Sequence, residues 1–137
     1  MATDVSICNM ALARIGVSTF ISNLNEASNE ARVCALFYSE VRDRVLRNYP
    51  WSFAKKRVTL ADAGTAPAEW GFKYGYPSDC LKARYIVPVG LRNPRNDQRV
   101  PFEVANENGQ RVIYTNQDAA ELVYTYRVTD PTKYDAL

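Results

Sequence analysis

Val41-Arg-Asp-Arg-Val-Leu-Arg-Asn-Tyr-Pro50-Trp-Ser-Phe-Ala-Lys-Lys-Arg-Val-Thr-Leu60 is where the chain changes its period. Before Pro50, apolar residues recur three and four positions apart, the spacing that lines one face of a helix. After Trp51 the pattern turns to alternation, the spacing of a strand. Proline disfavours helical geometry in the residue before it, so a helix must end near Tyr49.

Working back from Pro50, Ser28 is a suitable N-cap and Glu30 suits the positive helix start, while Arg42, Arg44 and Arg47 suit its negative end. The stripe Cys34, Phe37/Tyr38, Val41, Val45 and Tyr49 makes this a helix of about five turns. Residues 17–27, rich in Ser and Asn, read as a loop anchored by Ile21 and Leu24. A shorter amphipathic helix spans residues 4–16, with Val5, Cys8, Leu12 and Ile15 on one stripe. Thr3 or Asp4 is its cap and Gly16 its left-handed stop.

Working forward, residues 53–60 form a strand candidate and residues 61–67 a turn. Trp70, Phe72, Tyr74 and Tyr76 alternate strictly, which predicts four aromatics on one face. Residues 81–87 read as a strand and residues 88–99, polar and with two prolines, as a long surface loop. Residues 101–105, 111–115 and 121–128, joined by turns at 106–109 and 116–119, predict a three-stranded antiparallel meander. Asp130-Pro131 breaks the last strand, and residues 132–137 look like the start of an element that is not reached. The expected class is α+β: N-terminal amphipathic helices packed on a C-terminal antiparallel β-sheet or small barrel-like layer. We expect one domain over residues 1–137, helical over 1–50 and β over 51–137, without a C-terminal helix.

The totals fit that reading. A chain of 137 residues buries enough surface to need no covalent staple. Seventeen Lys and Arg against fifteen Asp and Glu leave a net charge of +2, too little for bulk attraction to nucleic acid or anionic membrane. The three cysteines Cys8, Cys34 and Cys80 are scattered and accompanied by no histidine, which argues against a zinc site or a disulfide framework. The first residues lack the pattern of a signal peptide, and no apolar run approaches the ~18 residues of a membrane span. Synthesis in the cytoplasm and no membrane partner are expected.

The search for chemistry is negative. Without histidine there is no triad base, and the six glycines are scattered singly, so no phosphate-binding loop is present. Acidic residues such as Glu30, Glu40 and Asp43 lie opposite the apolar stripe as a solvated face. We expect no catalytic residue, no metal ligand and no cofactor. The basic residues Arg42, Arg44, Arg47, Lys55, Lys56 and Arg57, interleaved with Tyr49, Trp51 and Phe53, outline a candidate nucleic-acid surface. They support the alternative reading, a small nucleic-acid-binding module. Nine tyrosines suit a protein that makes interfaces.

The strings Ile7-Cys-Asn-Met-Ala-Leu-Ala-Arg-Ile-Gly16, then Tyr38 and Arg42, then Trp51 to Leu60, resemble the tail tubular protein A family of short-tailed phages. Tyr74-Gly-Tyr-Pro-Ser-Asp-Cys-Leu81, the hairpin Phe102-Glu-Val to Ile113-Tyr-Thr-Asn116 and the closing Tyr126-Arg-Val-Thr-Asp-Pro131 are also similar, so the resemblance spans nearly the whole chain. It implies a non-enzymatic virion protein of the bacteriophage head-tail connector, an adaptor. Its subunits would form a homo-oligomeric, dodecameric ring below the portal protein. The ring would form part of the DNA-ejection channel and the platform for the tail nozzle, a tail tubular protein B-like partner. Double-stranded DNA would pass through without sequence-specific contact. Family members continue past the Asp-Pro with a helix that packs back on the first two. Here either the chain is truncated or another subunit completes the layer, which would leave an apolar groove on the monomer. On this reading the helix–sheet core is Leu12, Ile15, Phe37, Val41, Trp51 and Phe53, and the exposed partner contacts are Lys82, Arg92, Arg95 and Arg99.

Overall fold

A computed structural model describes residues 3–134. The fold is α+β, with both helices before the first strand. The chain divides into two compact units: the segment up to Tyr49 together with that from Val128 onward, and Pro50–Arg127.

In the first unit, α1 spans Asp4–Arg14 and α2 spans Asn29–Asn48. Thr3 caps α1 through its hydroxyl, which accepts from the Ser6 amide at 3.0 Å while the Ser6 hydroxyl accepts from the Thr3 amide at 2.8 Å. The capping box thus satisfies two amides that the helix cannot. Gly16 follows α1 with φ +89°, a conformation that glycine reaches without a Cβ clash. Ser28 caps α2, its Oγ accepting from the Ala31 amide at 3.2 Å. Ser28→Ala is expected to lower stability by about 1 kcal/mol. A urea midpoint indistinguishable from wild type would show that this cap contributes nothing.

Cys8, Leu12, Ile21 and Ala31 form the core of the helical unit, joined by the partly buried Val5, Val17, Leu24, Cys34 and Tyr38. The Asn9 side chain holds the connecting loop over it, donating to the Ile21 carbonyl at 3.0 Å and accepting from the Ile21 amide at 2.9 Å. Ile21 and Leu24 are anchors as the sequence implies. Ile15 is not a core residue: α1 stops one residue earlier, the backbone turns away, and the side chain is 75% exposed. Phe37 and Val41 are corrected too, being 51% and 47% exposed. On α2 the inward line is Ala31, Cys34 and Tyr38, and Phe37 lies a ~100° step around the helix from Tyr38. Leu12 is buried as expected.

The second unit stacks two antiparallel sheets. Its strands are β1 (Lys55–Thr59), β2 (Asp62–Gly64), β3 (Phe72–Gly75), β4 (Cys80–Val87), β5 (Phe102–Glu107), β6 (Gln110–Thr115) and β7 (Glu121–Tyr126). One sheet has the order β1-β7-β4 and the other β2-β3-β6-β5. Ile86, Leu122 and Tyr124 from the first meet Tyr74 and Ile113 from the second in the core between them. A smaller cluster, Tyr85, Val87 and Val123, lies on the opposite face of the three-stranded sheet.

The expected meander is only half right. β5 and β6 form a hairpin in register Glu107↔Gln110, closed by Asn108 and Gly109, both at positive φ as a type I′ turn requires. β7 does not continue it but inserts between β1 and β4. Its residues Leu122, Val123, Tyr124 and Thr125 are all buried, a run that suits a central strand covered on both faces. β2 falls where a turn was expected. The aromatic face is also trimmed. Phe72, Tyr74 and Tyr76 belong to the inter-sheet core, but Trp70 closes a turn onto the Pro67 carbonyl and sends its indole N–H to Glu103. Trp51 and Phe53 are half-buried and lie 5.6 Å apart by ring centroids, flanking a 3-10 turn at Ser52–Ala54.

At the C-terminal end Pro131–Lys133 form a 3-10 turn capped by the Asp130 carboxylate, and the Tyr134 hydroxyl donates to the Val128 carbonyl at 2.9 Å. The expected start of a further element extends to residues 135–137, outside the described residues.

Candidate functional site

The six residues of the basic segment fall in different units and settings. Arg42, Arg44 and Arg47 lie on α2, Arg42 paired with Asp43 at 3.1 Å. Lys55, Lys56 and Arg57 lie on β1, where alternation turns Lys56 to the other side from its neighbours. Lys56 Nζ donates to Asp79 at 2.9 Å, and Arg57 pairs with Glu121 while donating to the Arg92 carbonyl at 2.8 Å. Paired cations of this kind offer less free charge to a phosphate backbone than the sequence count suggests.

The four expected partner contacts are exposed, and their surroundings differ. Lys82 lies on β4 in register with Thr125, and Lys55 is in register with Thr125 from the other side. Arg92 offers its side chain to solvent while its backbone accepts from Arg57. Arg95 is tied to Asp97 at 3.3 Å, and Arg99 stacks its guanidinium 4.0 Å from the centre of the Tyr85 ring. The loop between β4 and β5 is thus held at two places against the three-stranded sheet.

The cysteines are free. Burial and the neighbouring Cys34 thiol push the Cys8 thiol up to about 12, so it packs as a small apolar group and supplies no thiolate. Burial also pushes Cys80 up. Among the described residues no group of three or more His, Cys, Asp or Glu could hold a metal ion, and no helix is long and apolar enough to cross a membrane.

Two features go beyond the sequence reading, which places Phe37, Val41 and Val45 on the apolar stripe of α2 and leaves Val33 and Leu36 unmarked. On α2, Val33, Leu36, Phe37, Val41 and Val45 are exposed, Leu36 at 69%. Val33, Phe37, Val41 and Val45 recur every fourth position, so they form one i, i+4 ridge along α2, with Leu36 beside it. The second feature is on the outer face of the four-stranded sheet. Lys73, Tyr114 and Glu103 are in register there. Glu107 accepts from Lys73 at 2.8 Å and from the Tyr114 hydroxyl. The Glu107 carboxyl is held down by Lys73 and then by Tyr114, and the same contact pushes Tyr114 up to about 12.

No protein-family model and no curated protein matches this chain.

The α2 ridge was legible as spacing, since Val33, Phe37, Val41 and Val45 are one regular row. That row competes with Ala31, Cys34 and Tyr38, and the sequence pattern alone does not say which faces inward. The charge on the sheet faces left no such trace, because it depends on which strands become neighbours.

Proposed function

We propose that this chain is a structural subunit of a phage head-to-tail connector, an adaptor ring below the portal protein that carries the tail nozzle and lines part of the DNA-ejection channel. The observation that carries this reading is the ridge of large apolar side chains left exposed along α2. Monomeric proteins rarely leave such rows uncovered, and an assembly subunit does so because another chain covers them. The resemblance in sequence supplies the kind of assembly: a dodecameric homo-oligomer at the head–tail junction of the virion, made in the host cytoplasm, with DNA passing through without sequence-specific contact. The role requires no catalysis.

Negative-stain microscopy of the protein mixed with portal-filled, tail-less capsids tests the reading. A ring added beneath the portal is the expected result, and a bare portal overturns it. Phe37→Asp places a charge in the ridge and is expected to weaken ring formation at least tenfold while leaving the thermal midpoint of the monomer nearly unchanged, as the side chain is exposed. Rings that form equally well with Asp at this position would remove α2 from the interface.

A further inference from the structure

The two sheets have four edge strands: β1 and β4 flank β7 in one, and β2 and β5 end the other. An edge presents a row of unpaired amides and carbonyls, a template for a further strand unless the sequence blocks it. Three of these edges are blocked. β1 carries Lys55, Lys56 and Arg57. β4 is broken by two register shifts, and on its free side Ile86 bridges to Val100. β2 has three residues, a register shift and Gly64 at φ +113°. β5 has none of these devices: its six residues pair with β6 without a bulge and include no proline, lysine or arginine.

The free groups of β5 follow from its hairpin. Across a two-residue type I′ turn the closing pair Glu107↔Gln110 is hydrogen-bonded, and alternation then ties Glu103, Ala105 and Glu107 to β6. Phe102, Val104 and Asn106 turn their N–H and C=O the other way. The Arg111 carbonyl, opposite Asn106, fits this phase, since it accepts from the Tyr76 amide on the β3 side at 3.4 Å. Among the described residues no hydrogen bond from elsewhere reaches the outward groups. The edge is accessible, with Val104 41% exposed and Asn106 exposed. Its carboxylates lie back over their own sheet: Glu103 accepts from the Trp70 indole, and Glu107 reaches across β6 to Lys73.

We infer that β5 docks on β5 of a second copy, antiparallel about Val104, so that the four-stranded sheets of two copies run into one. In that register Val104 faces Val104, Phe102 faces Asn106 and Glu103 faces Ala105. Every outward N–H then meets a carbonyl, and no carboxylate directly faces another. Any slip along the edge leaves groups at one end unpaired. The free groups are symmetric about Val104, so the complement of this edge is the edge itself, and the exposed valines cover each other. Such a contact is isologous, whereas a ring with a single rotation axis is built from heterologous contacts. The inference therefore goes beyond the connector reading: pairing holds free subunits together, with the edge covered, before a ring forms.

Position 104 reports the two-fold directly, because it faces itself. In the Phe37→Asp background, which weakens the α2 contact, the full chain is expected to sediment as a concentration-dependent pair. Adding Val104→Lys or Val104→Glu sets like charges opposite each other and weakens pairing by about tenfold or more, while the one-to-one mixture, Lys against Glu, recovers it. Val104→Pro removes the central outward donor without touching the β6 ladder and also abolishes pairing. Thermal midpoints check that each variant folds. Hydrogen exchange locates the contact: the amides of Phe102, Val104 and Asn106 gain protection as concentration rises, and those of Glu103, Ala105 and Glu107 are protected throughout.

A chain that stays monomeric at every concentration overturns the inference, as does a pair indifferent to charge at position 104 or a mixture of folded variants that fails to recover. Pairing without added protection at Phe102, Val104 and Asn106 places the contact elsewhere and overturns it too. The connector reading is tested separately, by the ring beneath the portal, and a ring there in the absence of pairing leaves it intact.

Discussion

Leu122→Ala is expected to destabilise the protein by about 2–5 kcal/mol, toward the upper end of that range. Leu122 is fully buried at the middle of β7, paired with Val58 of β1 on one side and Ile86 of β4 on the other. Its side chain enters the core between the sheets with Tyr74 and Ile113. Removing three carbons there leaves a cavity walled by strands of two hydrogen-bonded sheets, which cannot close in on it without breaking register, so the cavity term adds to the lost transfer energy. Against a typical total of about 5–15 kcal/mol, this is a large part of the stability. The measurement is the urea midpoint at constant slope. Leu36→Ala is the contrasting variant: Leu36 is 69% exposed, and the change is expected to stay within about 0.5 kcal/mol in the monomer. Equal effects for the two leucines would contradict the arrangement of the core.

Asp79→Ala is expected to cost about 1–3 kcal/mol through a residue it does not contain. The Asp79 carboxylate accepts from the hydroxyl of the buried Tyr124 at 2.9 Å and from Lys56 at 2.9 Å, and its backbone carbonyl accepts from the Arg127 amide at 2.9 Å. The Lys56 pair is half open to solvent and contributes little. The Tyr124 hydroxyl would lose its partner inside the core, and an unsatisfied buried donor carries its full desolvation penalty. Adding Tyr124→Phe to Asp79→Ala should therefore recover much of the loss, a coupling that a double-mutant cycle reads directly. No recovery would mean that Asp79 acts through the turn it closes.

Asp79 also predicts a dependence on pH. Burial pushes its carboxyl up, but the hydrogen bonds from Lys56 and Tyr124 outweigh burial and hold it below its ordinary value. A carboxyl depressed in the folded state adds stability above its unfolded value of ~3.9 and loses it as pH falls through the folded value. Glu107 and Asp130 are depressed as well, so they act in the same direction. Urea midpoints should fall from about pH 4 downward, and Asp79→Asn should flatten the fall. Parallel profiles for the two proteins would exclude Asp79 as a contributor.

How much of this was legible depends on the range of each signal. Thr3, Ser28, Pro50 and the Asn108-Gly109 turn act through backbone groups a few residues away, so the helix starts, the end of α2 and the β5–β6 hairpin follow from local order. Trp70 shows where alternation misleads: a turn at its own position removes it from the aromatic face. Phe37 and Val41 show a different limit, since both belong to a regular helical row and are nevertheless exposed.

The sequence by itself determined the α+β class, the change of period at Pro50, the helix caps and the hairpin turn, because each arises from sterics and hydrogen bonds between near neighbours. Only the tertiary structure decided which row of α2 faces inward and that β7 sits between β1 and β4. Those outcomes are set by burial between residues far apart in the chain, where several local patterns are equally acceptable and packing selects one.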